Sequence, residues 1–215
     1  KTAMVIVEPI QGENGVIVPP KNYLKAVREI CDKYGALMVL DCVQTGMGRT
    51  GTFFGYESEG ITPDVITLAK GLGGGLPIGA MIAIGPAAHL FKPGDHGSTF
   101  GGNPVSCAAG NAAFKVLKNE GWIEEVAEKE NILLTQMNHS AIIHRTHRGL
   151  WMSLQFESAS LAQKIAATCV ENGIITDWFL FAEDKIRIAP PLCITKKELQ
   201  WALQQIQLSI DQAMG

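Results

Sequence analysis

Three short apolar runs in the first third of the chain each stop at an ionisable residue: Ala3 to Val7 before Glu8, Ala36 to Leu40 before Asp41, and Val65 to Ala69 before Lys70. Runs of about five such residues bounded by turn chemistry are too short for helices and predict buried parallel strands. Ligands of open parallel sheets bind beyond the carboxyl ends of the strands, so the residues closing these runs are the first candidates for a site. A lysine and a carboxylate placed there are costly to desolvate unless something charged lies between them.

Between and after these runs the pattern alternates. Pro19-Pro20 introduces a helix through Tyr34, with Leu24, Val27, Ile30, Cys31 and Tyr34 as its apolar stripe and Gly35 as its stop. Ala80 to Ile84 predicts another strand, and Asn103-Pro104, a cap followed by proline at the first helical position, opens a helix to about Lys118. Trp122 to about Asn138 predicts a second long helix. Beyond Ile142 the order becomes strand (Trp151 to Phe156), helix (Ala159 to Asn172), strands (Ile174 to Phe181 and Lys185 to Ala189) and a final helix from Lys196 to about Ala213. The pattern predicts an α/β protein: residues 1–118 in a large parallel-sheet domain, 119–140 as a connecting helix and 141–215 as a small α+β domain. Because a buried parallel strand needs neighbours on both sides, the expectation is that an N-terminal part of the large domain is missing before Lys1.

Composition narrows the function classes. The chain has 215 residues, net charge −3 and 47% hydrophobic content, enough for one or two domains with a sizeable core. No basic stretch is interleaved with aromatics, which argues against nucleic acid, and no apolar run approaches the roughly 20 residues that span a bilayer. Five cysteines, an odd number without CxxC spacing, favour reduced thiols in a cytosol.

The chemistry concentrates at a few places. Lys70, between an apolar strand and Gly71-Leu72-Gly73-Gly74-Gly75, is expected to be partly desolvated yet reachable, which suits a neutral amine forming a Schiff base with an aldehyde. Asp41 at a neighbouring strand end suits a protonated heterocyclic nitrogen, as a pyridoxal cofactor requires; a Lys-Asp salt bridge is the plainer alternative. Ser98-Thr99-Phe100-Gly101-Gly102-Asn103-Pro104 joins two hydroxyls and two glycines to a capped helix start, a candidate phosphate site, with ordinary capping as its plain reading. Gly46-Met47-Gly48-Arg49-Thr50-Gly51 matches G-x-G-x-x-G, but no apolar helix opens within it, which argues against a dinucleotide. Arg187, in an apolar strand before Pro190-Pro191, suits a substrate carboxylate or a surface position. His144 and His147 have HxxH spacing without a clear helix or a matching carboxylate motif, so no metal is expected.

Taken together, Val7-Glu8-Pro9-Ile10-Gln11-Gly12-Glu13, Leu40 to Gly51, Ala69-Lys70-Gly71-Leu72-Gly73-Gly74-Gly75, His96 to Pro104 and the Arg-Ile-Ala-Pro-Pro-Leu motif from Arg187 resemble class-III pyridoxal-phosphate (PLP) aminotransferases, and within them the acetylornithine/ornithine branch. The resemblance implies a fold-type-I PLP-dependent transferase, here the later part of its large domain plus the small C-terminal domain. It implies Lys70 as the cofactor's aldehyde partner and proton shuttle, Asp41 on the pyridine nitrogen, Val43 on a ring face and Gln44 on the ring hydroxyl. Thr99, with Ser98 nearby, would reach the phosphate of the partner subunit in a cytoplasmic homodimer with shared active sites. Glu13 and Arg187 would form a switchable pair, Arg187 binding 2-oxoglutarate or glutamate in one half-reaction and being masked by Glu13 in the other, while an ω-amino donor, N-acetylornithine or ornithine, is processed in arginine metabolism. Glu8 would at most position Glu13.

Two departures stand out. Cys42 replaces the family's usual glutamate, with its side chain expected to point away from that of Asp41, and Thr146-His147-Arg148-Gly149 lacks the arginine and first glycine of the usual Arg-Gly-x-Gly. The family's phosphate loop, ring-stacking aromatic and a further carboxylate-binding arginine match positions upstream of Lys1, so this chain alone is expected to be an incomplete catalyst. Alternatives are another class-III enzyme such as a 4-aminobutyrate aminotransferase, a mutase, a non-catalytic fragment of the fold and, weakest, a nucleotide-dependent oxidoreductase.

Overall fold

A computed structural model describes residues 1–215. They form two compact units: Lys1–Pro9, Pro19–Gly48 and Thr52–Gly121 in the first, and Ile10–Val18, Arg49–Gly51 and Trp122–Gly215 in the second.

The first unit is built on a sheet of β1 (Met4–Val7), β2 (Leu37–Asp41), β3 (Val65–Leu68) and β4 (Ala80–Ala83), in that spatial order. The β1–β2 and β2–β3 pairs are parallel and β4 runs antiparallel to β3. The three predicted strands are present, and the central two are the buried ones. β1 is half exposed, with Met4 at 47% and Ile6 at 60%, because β2 is its sole partner in the sheet.

Helix α1 (Tyr23–Tyr34) starts three residues after the proline pair and ends on Gly35, whose left-handed φ of 64° lets its N–H reach the Asp32 carbonyl. Its buried stripe is narrower than the spacing predicts: Leu24 and Cys31 are buried, whereas Ile30 and Tyr34 are exposed. Leu24 and Cys31 join Met38, Leu40, Cys42, Tyr56, Ile66 and Leu68 in one core cluster on this face of the sheet. Arg28 on α1 donates to Asp64 Oδ2 at 2.7 Å, and the Met38 N–H reaches the same oxygen at 2.7 Å. One carboxylate thus ties the helix to β2 and to the turn before β3. Helix α2 (Pro104–Asn119) begins as predicted, with the Asn103 side chain accepting from the Val105 and Ser106 N–H groups at 3.0 and 3.2 Å.

The second unit holds an antiparallel sheet of β5 (His144–His147), β6 (Met152–Gln155), β7 (Asp177–Phe179) and β8 (Ala182–Ile188), ordered β5-β6-β8-β7, with α3 (Val126–Gln136), α4 (Ala159–Glu171) and α5 (Lys196–Met214). β5 has no counterpart in the sequence reading, because its polar residues lack an apolar alternation. The predicted strand from Ile174 shrinks to three residues, with Ile175 94% exposed. Residues 122–140, read from sequence as a connection, cluster within this unit, where Val126, Leu133 and Met137 are buried. Lys129, 1% exposed, donates to the Leu192 carbonyl at 2.7 Å and pairs with Glu125 at 2.8 Å.

His144 and His147 lie three apart on a strand, so they point to opposite faces, and His147 Nδ1 is 2.7 Å from Glu130 Oε1. The G-x-G-x-x-G segment contains no helix; Met47, Gly48 and Gly51 all take positive φ in a run of turns. Its Arg49 donates to the Leu150 and Pro190 carbonyls at 2.8 and 2.6 Å, and burial lowers its guanidinium to about 10. Gly149 is needed where the departing motif runs, since a Cβ there would lie 2.5 Å from the Arg49 carbonyl oxygen.

Two outcomes follow from the first unit. Burial alone would raise the Asp64 carboxyl, but the Met38 N–H and the Arg28 guanidinium outweigh it and hold the group below its ordinary value. Its stabilisation is therefore complete above the unfolded value near ~3.9 and is lost as pH falls through the lower folded value. Asp64→Asn is expected to cost about 2 kcal/mol at pH 7 and to flatten the acid limb of a denaturant-midpoint against pH curve below about pH 4. Burial also pushes the Cys42 thiol up to about 12. At pH 8 iodoacetamide should leave Cys42 unmodified in the folded protein and alkylate it after denaturation, as read by peptide mass spectrometry.

Candidate active site

The exits of β2 and β3 assemble the first group of candidate residues. Asp41 is the last residue of β2 and lies opposite Thr67 in the parallel register. Its Oδ1 accepts two hydrogen bonds, from the Val43 N–H at 3.0 Å and from the Thr67 hydroxyl at 3.2 Å. Two donors on one oxygen fix the plane of the carboxylate, the geometry a partner of a protonated ring nitrogen needs. The turn after Asp41 is tightly built. A Cβ on Gly46 would sit 2.7 Å from the Cys42 carbonyl oxygen, and one on Gly55 would sit 2.7 Å from the Thr45 Cβ. Cys42 packs into the α1-side core cluster while Asp41 bonds to Val43 and Thr67, so the two neighbours serve different surroundings.

Lys70 stands three residues beyond Thr67. The expectation of partial desolvation is corrected here: β3 ends at Leu68, and Lys70 is exposed as the first residue of a short 3-10 turn, Lys70–Gly73. It holds φ 47°, a left-handed conformation in a non-glycine residue. Such a backbone costs on the order of 1 kcal/mol and is found preferentially at functional positions. The glycines that follow have separate reasons. Gly74 closes the turn at φ 56°, with the space for a Cβ bounded by Ala113 at 3.2 Å. Gly73 has Ile78 at 3.0 Å from such a Cβ, and Gly110 of α2 faces the Leu72 carbonyl at 3.1 Å. The missing side chains let helix α2 pack onto the turn that carries Lys70.

Val43 and Gln44 are partly buried in the turn after Asp41. Ser98 and Thr99 lie exposed in the segment leading to α2, where the Ser98 carbonyl accepts from the Gly101 N–H at 3.1 Å. No hydrogen bond joins them to Asp41.

In the second unit Glu13 and Arg187 meet across 174 positions of sequence. Arg187 NH2 lies 2.9 Å from both Glu13 carboxylate oxygens. The Leu180 N–H reaches Glu13 Oε2 at 3.3 Å, the Phe181 N–H reaches the Glu13 carbonyl at 3.0 Å, and the Arg187 guanidinium carbon stands 4.7 Å over the Phe179 ring centroid. Glu8, at the exit of β1, belongs to the other unit.

Sequence reasoning missed Thr67, Phe179, Arg49 and Lys129 as parts of these arrangements. Thr67 could have been found as the one hydroxyl inside an apolar strand next to Lys70. Phe179 carries no signal of its own in the sequence, because its place beneath Arg187 comes from the pairing of β7 with β8.

Comparison with known proteins bears on the whole chain. The family model for class-III aminotransferases matches residues 1–210. An acetylornithine aminotransferase of Mycobacterium tuberculosis is 48% identical over 217 residues, covering 100% of this chain and 54% of the relative. One from Corynebacterium efficiens is 47% identical over 206 residues, covering 95% and 50%. Among solved structures, the acetylornithine aminotransferase of Elizabethkingia anophelis has a TM-score of 0.90 at 34% identity over 97% of this chain and 54% of that one. The ornithine aminotransferase of Toxoplasma gondii, a structure with partial occupancy of PLP at its active site, has a TM-score of 0.89 at 33% identity over 98% and 51%. The chain therefore spans about half the length of the curated relatives it matches. With the Asp41, Lys70 and Glu13–Arg187 segments all inside the matched region, the chain belongs to the class-III aminotransferase family.

Proposed function

We propose that the protein is a PLP-dependent aminotransferase that moves the ω-amino group of N-acetylornithine or ornithine to 2-oxoglutarate, working as a cytoplasmic homodimer with shared active sites. The observation that carries the reading is the parallel register that sets Asp41, fixed through Oδ1, beside the strand whose exit carries Lys70. When bound, the cofactor supplies an aldehyde carbon for the amine and a pyridinium ring that takes up electrons.

This chain's residues then have definite tasks. The Asp41 carboxylate would hold the ring nitrogen, with the Val43 N–H and Thr67 hydroxyl orienting it. Lys70 Nζ holds the cofactor and moves the proton at the reacting carbon. Val43 would pack on a ring face, Gln44 would bond the ring hydroxyl, and Thr99, with Ser98 nearby, would reach the phosphate of the partner subunit. Arg187 takes the dicarboxylate's distal carboxylate in one half-reaction. Glu13, already paired with it at 2.9 Å, masks that charge when the ω-amino donor is bound. The identity of relatives named acetylornithine aminotransferase, at 48% and 47%, supports the donor class.

In the holoenzyme, borohydride is expected to fix the cofactor on the peptide bearing Lys70. Lys70→Ala should lose both that adduct and turnover by roughly 10³-fold or more. Folded full-length wild-type protein, prepared with the cofactor supplied, that lacks the cofactor's absorbance would sink the reading. Thr67→Val removes one donor from Asp41 Oδ1 while keeping side-chain volume. It should lower kcat/KM about fivefold with an unchanged circular dichroism spectrum, an effect of about 1 kcal/mol.

A further inference from the structure

We infer that Phe179 is a positioning residue: its ring is the fixed platform that holds the Arg187 guanidinium ready for a carboxylate, so that exchange of ionic partners needs movement of the Glu13 side chain alone. The inference rests on the reading of Arg187 as the dicarboxylate's partner and deepens it by naming what sets affinity for that substrate.

The two members of the ion pair are held in different ways. Phe179 has no exposed surface and is locked among Ile10, Val16, Trp151 and Ala182. Over this ring stands the guanidinium, 4.7 Å from the centroid, the separation at which the negative face of an aromatic attracts a cation. Arg187 Nε is buried and meets no hydrogen-bond acceptor, so the ring is a main contact of the guanidinium apart from Glu13. The Thr176 hydroxyl donates to the Arg187 carbonyl and fixes the backbone beneath. These contacts do not involve Glu13 and persist when it leaves.

Glu13 is anchored through its main chain. Its carbonyl accepts from the Phe181 N–H at 3.0 Å, and the turn around it is closed by the Gly15 and Val16 N–H groups on the Gly12 carbonyl at 3.0 and 3.2 Å. The carboxylate itself meets Arg187 and, at 3.3 Å, the Leu180 N–H. A side-chain rotation about a pinned backbone therefore uncovers Arg187 without unfolding the turn. Without the ring, an arginine that has lost its counter-ion regains its rotamer freedom, and an incoming carboxylate must order it again.

The test compares the two half-reactions of the holoenzyme by stopped-flow absorbance of the cofactor. Phe179→Leu and Phe179→Met keep an apolar side chain and remove the π-face. Each is expected to weaken the apparent affinity for 2-oxoglutarate about tenfold, at the upper part of the range for a desolvated cation–π contact, while the ω-amino donor half-reaction changes by less than about twofold. Phe179→Tyr keeps the face and should restore dicarboxylate affinity to within about threefold. Folded Leu and Met variants with unaltered dicarboxylate affinity, or equal losses in both half-reactions, would overturn the inference. Arg187→Gln separates the two levels of the argument: if it leaves 2-oxoglutarate affinity unchanged, the reading of Arg187 fails and takes this inference with it. If it abolishes that affinity and the Phe179 variants do not weaken it, only the platform is wrong.

Discussion

Asp41 Oδ1, accepting from the Val43 N–H and the Thr67 hydroxyl, is the contact that organises the exits of β2 and β3 in the first unit. A carboxylate at the end of a strand can rotate freely, and a freely rotating charge is a poor fixed partner for a ring nitrogen. Here the donors come from two sources: the turn that follows β2 and the neighbouring strand β3. The parallel β2–β3 register is what brings the second donor within reach, and the same register sets the exit at which Lys70 takes its left-handed turn. The glycines around that turn allow α2 to pack against it, so the position of Lys70 is held by backbone packing.

The second unit solves a different problem, holding one guanidinium against a carboxylate and an aromatic ring. β8 carries Arg187, and the segment after it is gripped by two cations, the partly buried Arg49 on the Pro190 carbonyl and the buried Lys129 on the Leu192 carbonyl. Each satisfies main-chain oxygens that no strand partner takes, which explains why charged side chains are tolerated there. The strand end is fixed in this way, with Phe179 beneath the guanidinium.

Much of this was legible in the chain. The apolar runs ending at Asp41 and Lys70, the Asn103-Pro104 helix start and the Gly35 stop all appear where their spacing predicts, because each is governed by local chemistry. The environment of Cys42 was also legible, since a side chain one residue past Asp41 faces the other way and enters the core. Less was legible about exposure. Lys70 was expected to be partly desolvated and is exposed, because strand and turn lengths differ by one or two residues and a single residue reverses which way a side chain points. The strand β5 was not legible at all, since His144-Arg145-Thr146-His147 becomes a strand by pairing with β6 and not by any preference of its own.

The sequence by itself determined the order of elements, their caps and stops, and the residue types able to perform amine chemistry, because these depend on neighbours a few positions apart. It also carried the long motifs by which the family is recognised. Only the tertiary structure decided that Thr67 steadies Asp41 and that Phe179 underlies the guanidinium. Those contacts depend on strand pairing and register. Register is fixed by how distant side chains fill a common core, a property that no local stretch of sequence contains.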